Sequence, residues 1–251
     1  MSSEFVGRTV LITGALGTLG SAQAETFAQL GASLLLLDLP NRPGEARAEE
    51  TMRKFGVEAR YVGQDLGGLK ASEARIRELS ASLGGIDVLI SNAALIINKP
   101  FEDFSIDEYE DQLRVNAAAT FALARAIAPD MKRKRRGCIV NFCSVTLNGR
   151  WDGYVPYVAS KGAMLGLTKS LARELGPFNI RVNAVSPGAV VSDAENRVFA
   201  DRLQAYNDWI LENQCLKQRI AAQDVADLVA FLASDRARMI TGQNIAVDGG
   251  W

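Results

Sequence analysis

The feature that most narrows the fold is a regular alternation of short apolar runs with helix-length segments along the whole chain. Strand-like runs lie at Thr9–Thr13, Ser33–Asp38, Ala59–Gly63, Val88–Asn92, Cys138–Ser144, Arg181–Val185 and Asn244–Val247. Between them helical patterns cover Thr18–Leu30, Gly44–Phe55, Leu69–Leu83, Ile106–Met131, Tyr154–Leu175 and Gln223–Leu232. Runs such as Leu34–Leu37 and Val88–Ile90 are unbroken in Val, Leu and Ile, the pattern of parallel strands covered on both faces. Such alternation implies crossover connections and a doubly wound α/β sheet. No repeat, low-complexity stretch or Pro/Gly/Ser-rich linker divides the 251 residues, so the chain reads as one domain, 1–251. One stretch breaks the alternation. Residues 193–217 carry an apolar stripe at Phe199, Leu203, Tyr206 and Ile210 amid charged residues, an amphipathic helix placed to act as a lid.

Composition removes several function classes. Basic and acidic residues number 28 and 29, which argues against a nucleic-acid binder. The basic run Lys132–Arg136 reads as a solvated turn at a helix C-terminus, where cations suit the helix dipole. No apolar run approaches the roughly 18 residues of a membrane span. Glu4 and Arg8 interrupt the N-terminal apolar stretch where a signal peptide would need continuity, so the expected location is cytoplasmic. There is no histidine, which excludes His-based proton transfer and His-ligated metals. The three cysteines, Cys138, Cys143 and Cys215, lack metal-like spacing. Cys138 and Cys143 fall on opposite faces of one strand and read as small buried hydrophobes. Catalysis must then use Ser, Tyr, Lys, Asn or carboxylates.

Two constellations carry chemistry. The turn from Thr13 through Gly14, Gly17, Thr18, Leu19 and Gly20 follows the first strand and opens the first helix. Glycines there let the backbone approach a pyrophosphate, and the helix start offers free N–H groups. Asp38 ends the next strand, where a carboxylate accepts ribose hydroxyls and repels a 2′-phosphate. The turn holds no Lys or Arg, and the nearest downstream cation is Arg42, so the expected cofactor is NAD. The second constellation is Tyr157-Val158-Ala159-Ser160-Lys161. Tyr157 and Lys161 share a helix face, and the ammonium is expected to lower a phenol pKa normally near 10.

Taken with Asp65-Leu66, Asn92-Ala93-Ala94, Asn116, Ser144, Pro187-Gly188 and Ile240-Thr241-Gly242-Gln243, these stretches resemble the short-chain dehydrogenase/reductase family over essentially the whole chain. The resemblance implies a single Rossmann-type sheet of strand order 3-2-1-4-5-6-7. It implies that Tyr157 exchanges a proton with the substrate oxygen, Ser144 orients that oxygen, and Lys161 tunes Tyr157 and holds the nicotinamide ribose. Asn116 would hold a water in a proton relay. Asp65 and Leu66 would contact the adenine, Asn92 and Ala93 would form the cleft floor, and Pro187, Gly188, Val190 and Ser192 would flank the nicotinamide. The sequence departs from the family pattern at Thr18, where Gly is usual and a helix cap is expected, at Ala94, which adds a methyl to the cleft floor, and at Ser192 in place of Thr. Small residues Ala159, Ser160, Gly162, Ala163 and Gly166 mark a helix that the resemblance places at a homodimer or homotetramer interface.

The resulting expectation is an NAD-dependent oxidoreductase interconverting an alcohol and a carbonyl, on a small polar hydroxyl compound. Thr146, Asn148, Arg150, Asp152 and Asp193 would supply polar contacts, against an apolar wall of Leu95, Ile96, Trp151, Tyr154, Phe199 and Trp209. The alternatives are a 3-oxoacyl-thioester (acyl carrier protein) reductase and a non-catalytic dinucleotide-sensing or scaffold protein. The second is disfavoured by the joint presence of Asn116, Ser144, Tyr157 and Lys161.

Overall fold

The structure is a computed structural model describing residues 4–251. Seven parallel strands form one sheet in the order β3-β2-β1-β4-β5-β6-β7. They are β1 (Thr9–Thr13), β2 (Ser33–Asp38), β3 (Ala59–Gly63), β4 (Val88–Ser91), β5 (Gly137–Phe142), β6 (Ile180–Pro187) and β7 (Asn244–Val247). The expected order holds, and strand boundaries shift by at most two residues. β1 is central: Val10 sits opposite Leu34 on one side and Val88 on the other.

Because side chains alternate across a strand, β1 feeds two cores. Val10 and Ile12 join Phe27, Leu34, Leu36, Val140, Val225 and Val229 on one face. Leu11 joins Leu35, Ile76, Leu89, Leu123 and Ile139 on the other. Helices α1 (Thr18–Gln29) and α9 (Ala222–Ala233) pack together over the first face. α3 (Leu69–Ser82), α5 (Ala119–Lys134) and α6 (Val155–Leu175) cover the second, while α2 (Gly44–Phe55) packs on β3.

Two elements differ from expectation in ways that matter for the site. The single helix expected over 106–131 is instead α4 (Ile106–Leu113), a π-helical turn (Arg114–Ala118) and α5. Asn116 lies inside that π turn, a distortion that no apolar periodicity signals. The segment after β6 is not one helix but α7 (Asp193–Phe199), a 3₁₀ turn and α8 (Leu203–Asn213). A break is needed because Ala200 takes φ +34°, outside the helical region.

The basic run is not simply solvated. Lys134 and Arg136 reach Asp87 at 2.8 and 3.4 Å, and Arg133 pairs with Asp130. Cys138 and Cys143 are buried in separate clusters, and Cys215 is exposed.

Candidate active site

Strand order reverses between β1 and β4, so the connections leave in opposite directions and open a crevice at the strand C-terminal ends. A cleft of about 750 Å³ occupies it, running from Asp38, Arg42 and Asp65 to Ser144, Tyr157 and Asp193.

The glycine turn forms one wall. Gly14 takes φ +64°, and a Cβ there would stand 3.0 Å from the Ala93 Cα. At Gly20 a Cβ would stand 2.1 Å from the Gly14 carbonyl oxygen, so only glycine lets α1 start this close to the strand. Gly17 has room: its nearest neighbour would be 3.5 Å away, leaving its face open to the cleft. The Asn92 amide donates to the carbonyls of Thr13 and Gly14 at 3.0 and 3.2 Å, and Ala93 N–H donates to the Thr13 hydroxyl. Asn92 thereby holds the turn to the end of β4. Ala94 keeps a negative φ and is exposed, so its extra methyl is accommodated. Thr18 does not cap the helix. Gly17 is the cap residue, and the Thr18 hydroxyl accepts the N–H of Asp193, at the start of α7, at 3.2 Å.

Asp38 is buried at the end of β2 and accepts the N–H groups of Leu16 and Leu39, each at 2.9 Å. Arg42 folds back to within 4.0 Å of the Asp38 carboxylate and donates to the Leu16 carbonyl at 3.2 Å. Arg42, the nearest downstream cation in the sequence, thus stands beside the carboxylate. Three intervening residues do not separate the groups, because a turn returns Arg42 N–H to the Leu39 carbonyl at 3.0 Å. Asp65 and Leu66 line the same end, with Asp65 accepting Gly67 N–H at 2.8 Å.

At the other end Ser144 follows β5, and Tyr157 and Lys161 stand on α6. All three are buried. The Lys161 ammonium donates to the Phe142 carbonyl at 2.8 Å and lies 5.3 Å from the Tyr157 ring centroid. The expected lowering of the Tyr157 pKa is not what the surroundings produce. Burial pushes the phenol up to about 12, while the neighbouring Ser144 hydroxyl pulls it down by less. Burial likewise brings Lys161 down to about 8. Desolvation is the largest cause at both groups, because each is mostly removed from water. Thr146 donates its hydroxyl and its N–H to the Ser144 oxygen at 2.9 and 3.2 Å, fixing that rotamer.

Asn116 is buried but not on the cleft surface. Its amide bonds both backbone groups of Leu95, at 2.7 and 3.0 Å, and donates to the Ser160 hydroxyl at 2.9 Å. Its side chain thus braces Leu95 and α6. Pro187, Gly188, Val190 and Ser192 line the side beneath α7, and a Cβ on Gly188 would stand 2.8 Å from the Asp248 Cα. The Ser192 hydroxyl accepts Glu195 N–H at 3.2 Å and so caps α7.

Of the expected polar contacts, Thr146 and Asp193 line the cleft, whereas Asn148, Arg150 and Asp152 do not. Arg150 instead lies 5.6 Å above the Trp251 ring. The apolar wall holds Leu95, Ile96, Trp151, Tyr154 and Phe199, joined by Tyr206, which stacks on Phe199. Trp209 is behind it, in a cluster where Trp151, Trp209 and Trp251 centroids lie 4.6–5.6 Å apart. Motif reading missed the cleft residue Glu195, its partner Arg219 and Trp251, which packs behind Trp151. No spacing rule links Glu195 to Arg219 or Trp151 to Trp251.

The lining fits a nicotinamide dinucleotide: an open N–H-rich glycine turn for the pyrophosphate, a strand-end carboxylate for a ribose, and a hydroxyl-bearing pocket at the far end. That is the arrangement of a nicotinamide-dependent oxidoreductase built on one Rossmann-type sheet. Comparison with known proteins agrees. The profile of a family described as enoyl-(acyl carrier protein) reductase matches residues 14–251. A Rhizobium meliloti protein named probable galactose dehydrogenase is 35% identical over 243 residues, covering 97% of this chain and 94% of its own. A 3-oxoacyl-[acyl-carrier-protein] reductase from Aquifex aeolicus is 34% identical over 250 residues, covering 100% of this chain and 99% of its own. The solved structure assigned to a NAD(P)-dependent gluconate 5-dehydrogenase of Beutenbergia cavernae, with bound NADP, superposes with a TM-score of 0.93 at 32% identity, covering 100% of this chain and 99% of that one. The chain belongs to the short-chain dehydrogenase/reductase family. It is an NAD(P)-dependent oxidoreductase acting on CH–OH groups.

Proposed function

We propose that this protein oxidises a secondary alcohol of a small polyhydroxylated compound, and runs the reverse reduction, with NAD as the preferred cofactor. The carrying observation is the Tyr157 hydroxyl, buried at the cleft end with Ser144 beside it and Lys161 below. A nicotinamide dinucleotide held in the cleft would supply or accept the hydride. Tyr157, neutral at pH 7, holds a proton at its phenol oxygen, donates it to a carbonyl oxygen during reduction, and must lose it before it can accept one during oxidation. Ser144 donates to the same substrate oxygen while receiving hydrogen bonds from Thr146, so its own proton is free to point into the cleft. Lys161 stands 5.3 Å from the Tyr157 ring centroid and would reach the nicotinamide ribose. Asn116 positions Leu95 and, through Ser160, the helix that carries Tyr157.

Gly14, Gly17, Thr18, Leu19 and Gly20 would hold the pyrophosphate. Asp38 would take the adenosine ribose hydroxyls, Asp65 and Leu66 the adenine, and Asn92, Ala93, Pro187, Gly188, Val190 and Ser192 the nicotinamide half. NAD preference rests on Asp38, whose buried carboxylate disfavours a 2′-phosphate. Arg42 narrows it, because its guanidinium stands at the same rim. Helices α7 and α8 would act as the lid of a single-domain enzyme. Gly162, Ala163 and Gly166 form an exposed strip of α6, with open space where each glycine Cβ would stand, rather than packing on the protein's own sheet. This supports a homo-oligomer, dimer or tetramer. No described helix is long and apolar enough to cross a membrane, in keeping with a cytoplasmic enzyme.

The competing reading is a 3-oxoacyl-thioester reductase, favoured by the aromatic wall and the Aquifex relative. Steady-state kinetics with NAD and NADP on sugars, polyols, aliphatic alcohols and an acetoacetyl thioester decide between them. The proposal requires the highest kcat/KM on a polyhydroxylated substrate; the highest value on the thioester overturns it.

A further inference from the structure

Glu195 stands on α7, is 8% exposed, and lines the cleft at the end that holds Ser144 and Tyr157. Its backbone is fixed by the Ser192 cap. One carboxylate oxygen, Oε1, accepts the guanidinium of Arg219, which also donates to the Ala189 carbonyl at 3.2 Å and lies 5.9 Å from the Tyr206 ring centroid. The other oxygen, Oε2, has no protein partner among the described residues and is not sealed off. A buried carboxylate accepts hydrogen bonds and cannot donate them, so whatever fills the cleft beside Oε2 must bring a donor. Leaving it desolvated and unpaired is costly. Around it the wall is aromatic: Trp151, Tyr154, Phe199 and Tyr206. Such faces suit the C–H edges of a compound whose hydroxyls point elsewhere.

We infer that Glu195 is a specificity-determining residue, accepting at Oε2 a second hydroxyl of the substrate while Ser144 and Tyr157 engage the hydroxyl that reacts, and that Arg219 is the positioning residue that holds it there. The inference rests on the proposed alcohol oxidation and deepens it: the substrate is a neutral diol or polyol. A carboxylate at this place repels a substrate carboxylate or phosphate. The acyl chain of a 3-oxoacyl or 3-hydroxyacyl thioester brings no second hydroxyl for Oε2. Sites built to hydrogen-bond a substrate hydroxyl reject the analogue lacking it far more strongly than apolar pockets reject a changed methylene.

The test is the ratio of kcat/KM for cyclohexane-1,2-diol over cyclohexanol, measured for the unmodified protein and for Glu195→Gln, Glu195→Ala, Arg219→Ala and Arg219→Lys. The unmodified ratio should favour the diol by roughly 10- to 100-fold, the size of one hydrogen bond to a charged group. Glu195→Ala should bring it towards one. Glu195→Gln, close to isosteric, keeps an acceptor and should fall between them. Arg219→Ala should lower the ratio as well, and Arg219→Lys should restore part of it. The ratio is insensitive to a loss of folded enzyme, which scales both substrates alike. An unmodified ratio near one, or a ratio unchanged in both Glu195 variants, overturns the inference while leaving alcohol oxidation standing. No hydride transfer from either compound, or from any other alcohol, overturns the functional reading instead. Tryptophan fluorescence titration of the diol and of cyclohexanol then decides on Glu195 alone, and equal affinities in the unmodified protein would count against it.

Discussion

The Thr18 hydroxyl accepts the backbone N–H of Asp193 at 3.2 Å, joining the glycine turn at one side of the cleft to the first residue of α7 at the other. The pairing spans 175 positions of sequence and uses a side chain that glycine would lack. It ties the glycine turn to α7, the proposed lid.

Removing that acceptor should loosen α7. In Thr18→Ala, amide hydrogen exchange at Asp193 should quicken roughly 2- to 10-fold, the range of one ordinary hydrogen bond. Thr18→Ser should behave like the unmodified protein. Unchanged exchange at Asp193 in Thr18→Ala would show that the bond does not restrain the segment.

Tyr157→Phe should lower turnover by roughly 10²–10⁴ with cofactor affinity little changed, the usual scale for removing a general acid/base. Burial holds Tyr157 protonated far above neutrality. Alcohol oxidation, which needs the deprotonated phenol, should therefore rise with pH between about 7 and 9, and carbonyl reduction should not. A flat oxidation profile would contradict the assignment.

Lys161 carries a stability signature with a definite sign. Its native pKa of about 8 lies below the ordinary 10.5, so between those values the unfolded chain binds more protons than the folded one. Stability contributed by this group consequently rises with pH across that window, at most by about 1.4 kcal/mol per pH unit. Lys161→Met should be more stable than the unmodified protein at pH 7, with its advantage shrinking from pH 8 to 10. Urea titrations at pH 7 and 9.5 check this; an advantage that grows with pH refutes it. The same substitution should lower turnover sharply.

Asp38→Ala should raise kcat/KM with NADP and lower it with NAD, narrowing the preference by roughly 10-fold, since a charged hydrogen-bond acceptor is lost and Arg42 is freed. Adding Arg42→Ala should cancel much of the NADP gain. Equal use of both cofactors by the unmodified protein would overturn the NAD preference at the outset.

The sequence by itself determined the sheet and the near-linear motifs, because each is governed by neighbours a few residues away. Alternating apolar strands and helices specified a doubly wound parallel sheet, the family resemblance supplied its strand order, and Gly14, Gly20, Tyr157 and Lys161 announced themselves by spacing. What tertiary structure alone decided are relationships with long separations or burial. The Tyr157 pKa rises because burial in the folded protein outweighs the hydrogen bond of Ser144, a balance that helix spacing does not show. Asn116 spends its amide on Leu95, 21 residues away, inside a π turn that leaves no mark on the apolar period. Glu195 faces Arg219, and Trp151 faces Trp251, only because chain segments far apart in sequence converge at the C-terminal ends of the strands, where position in space rather than along the chain sets the chemistry.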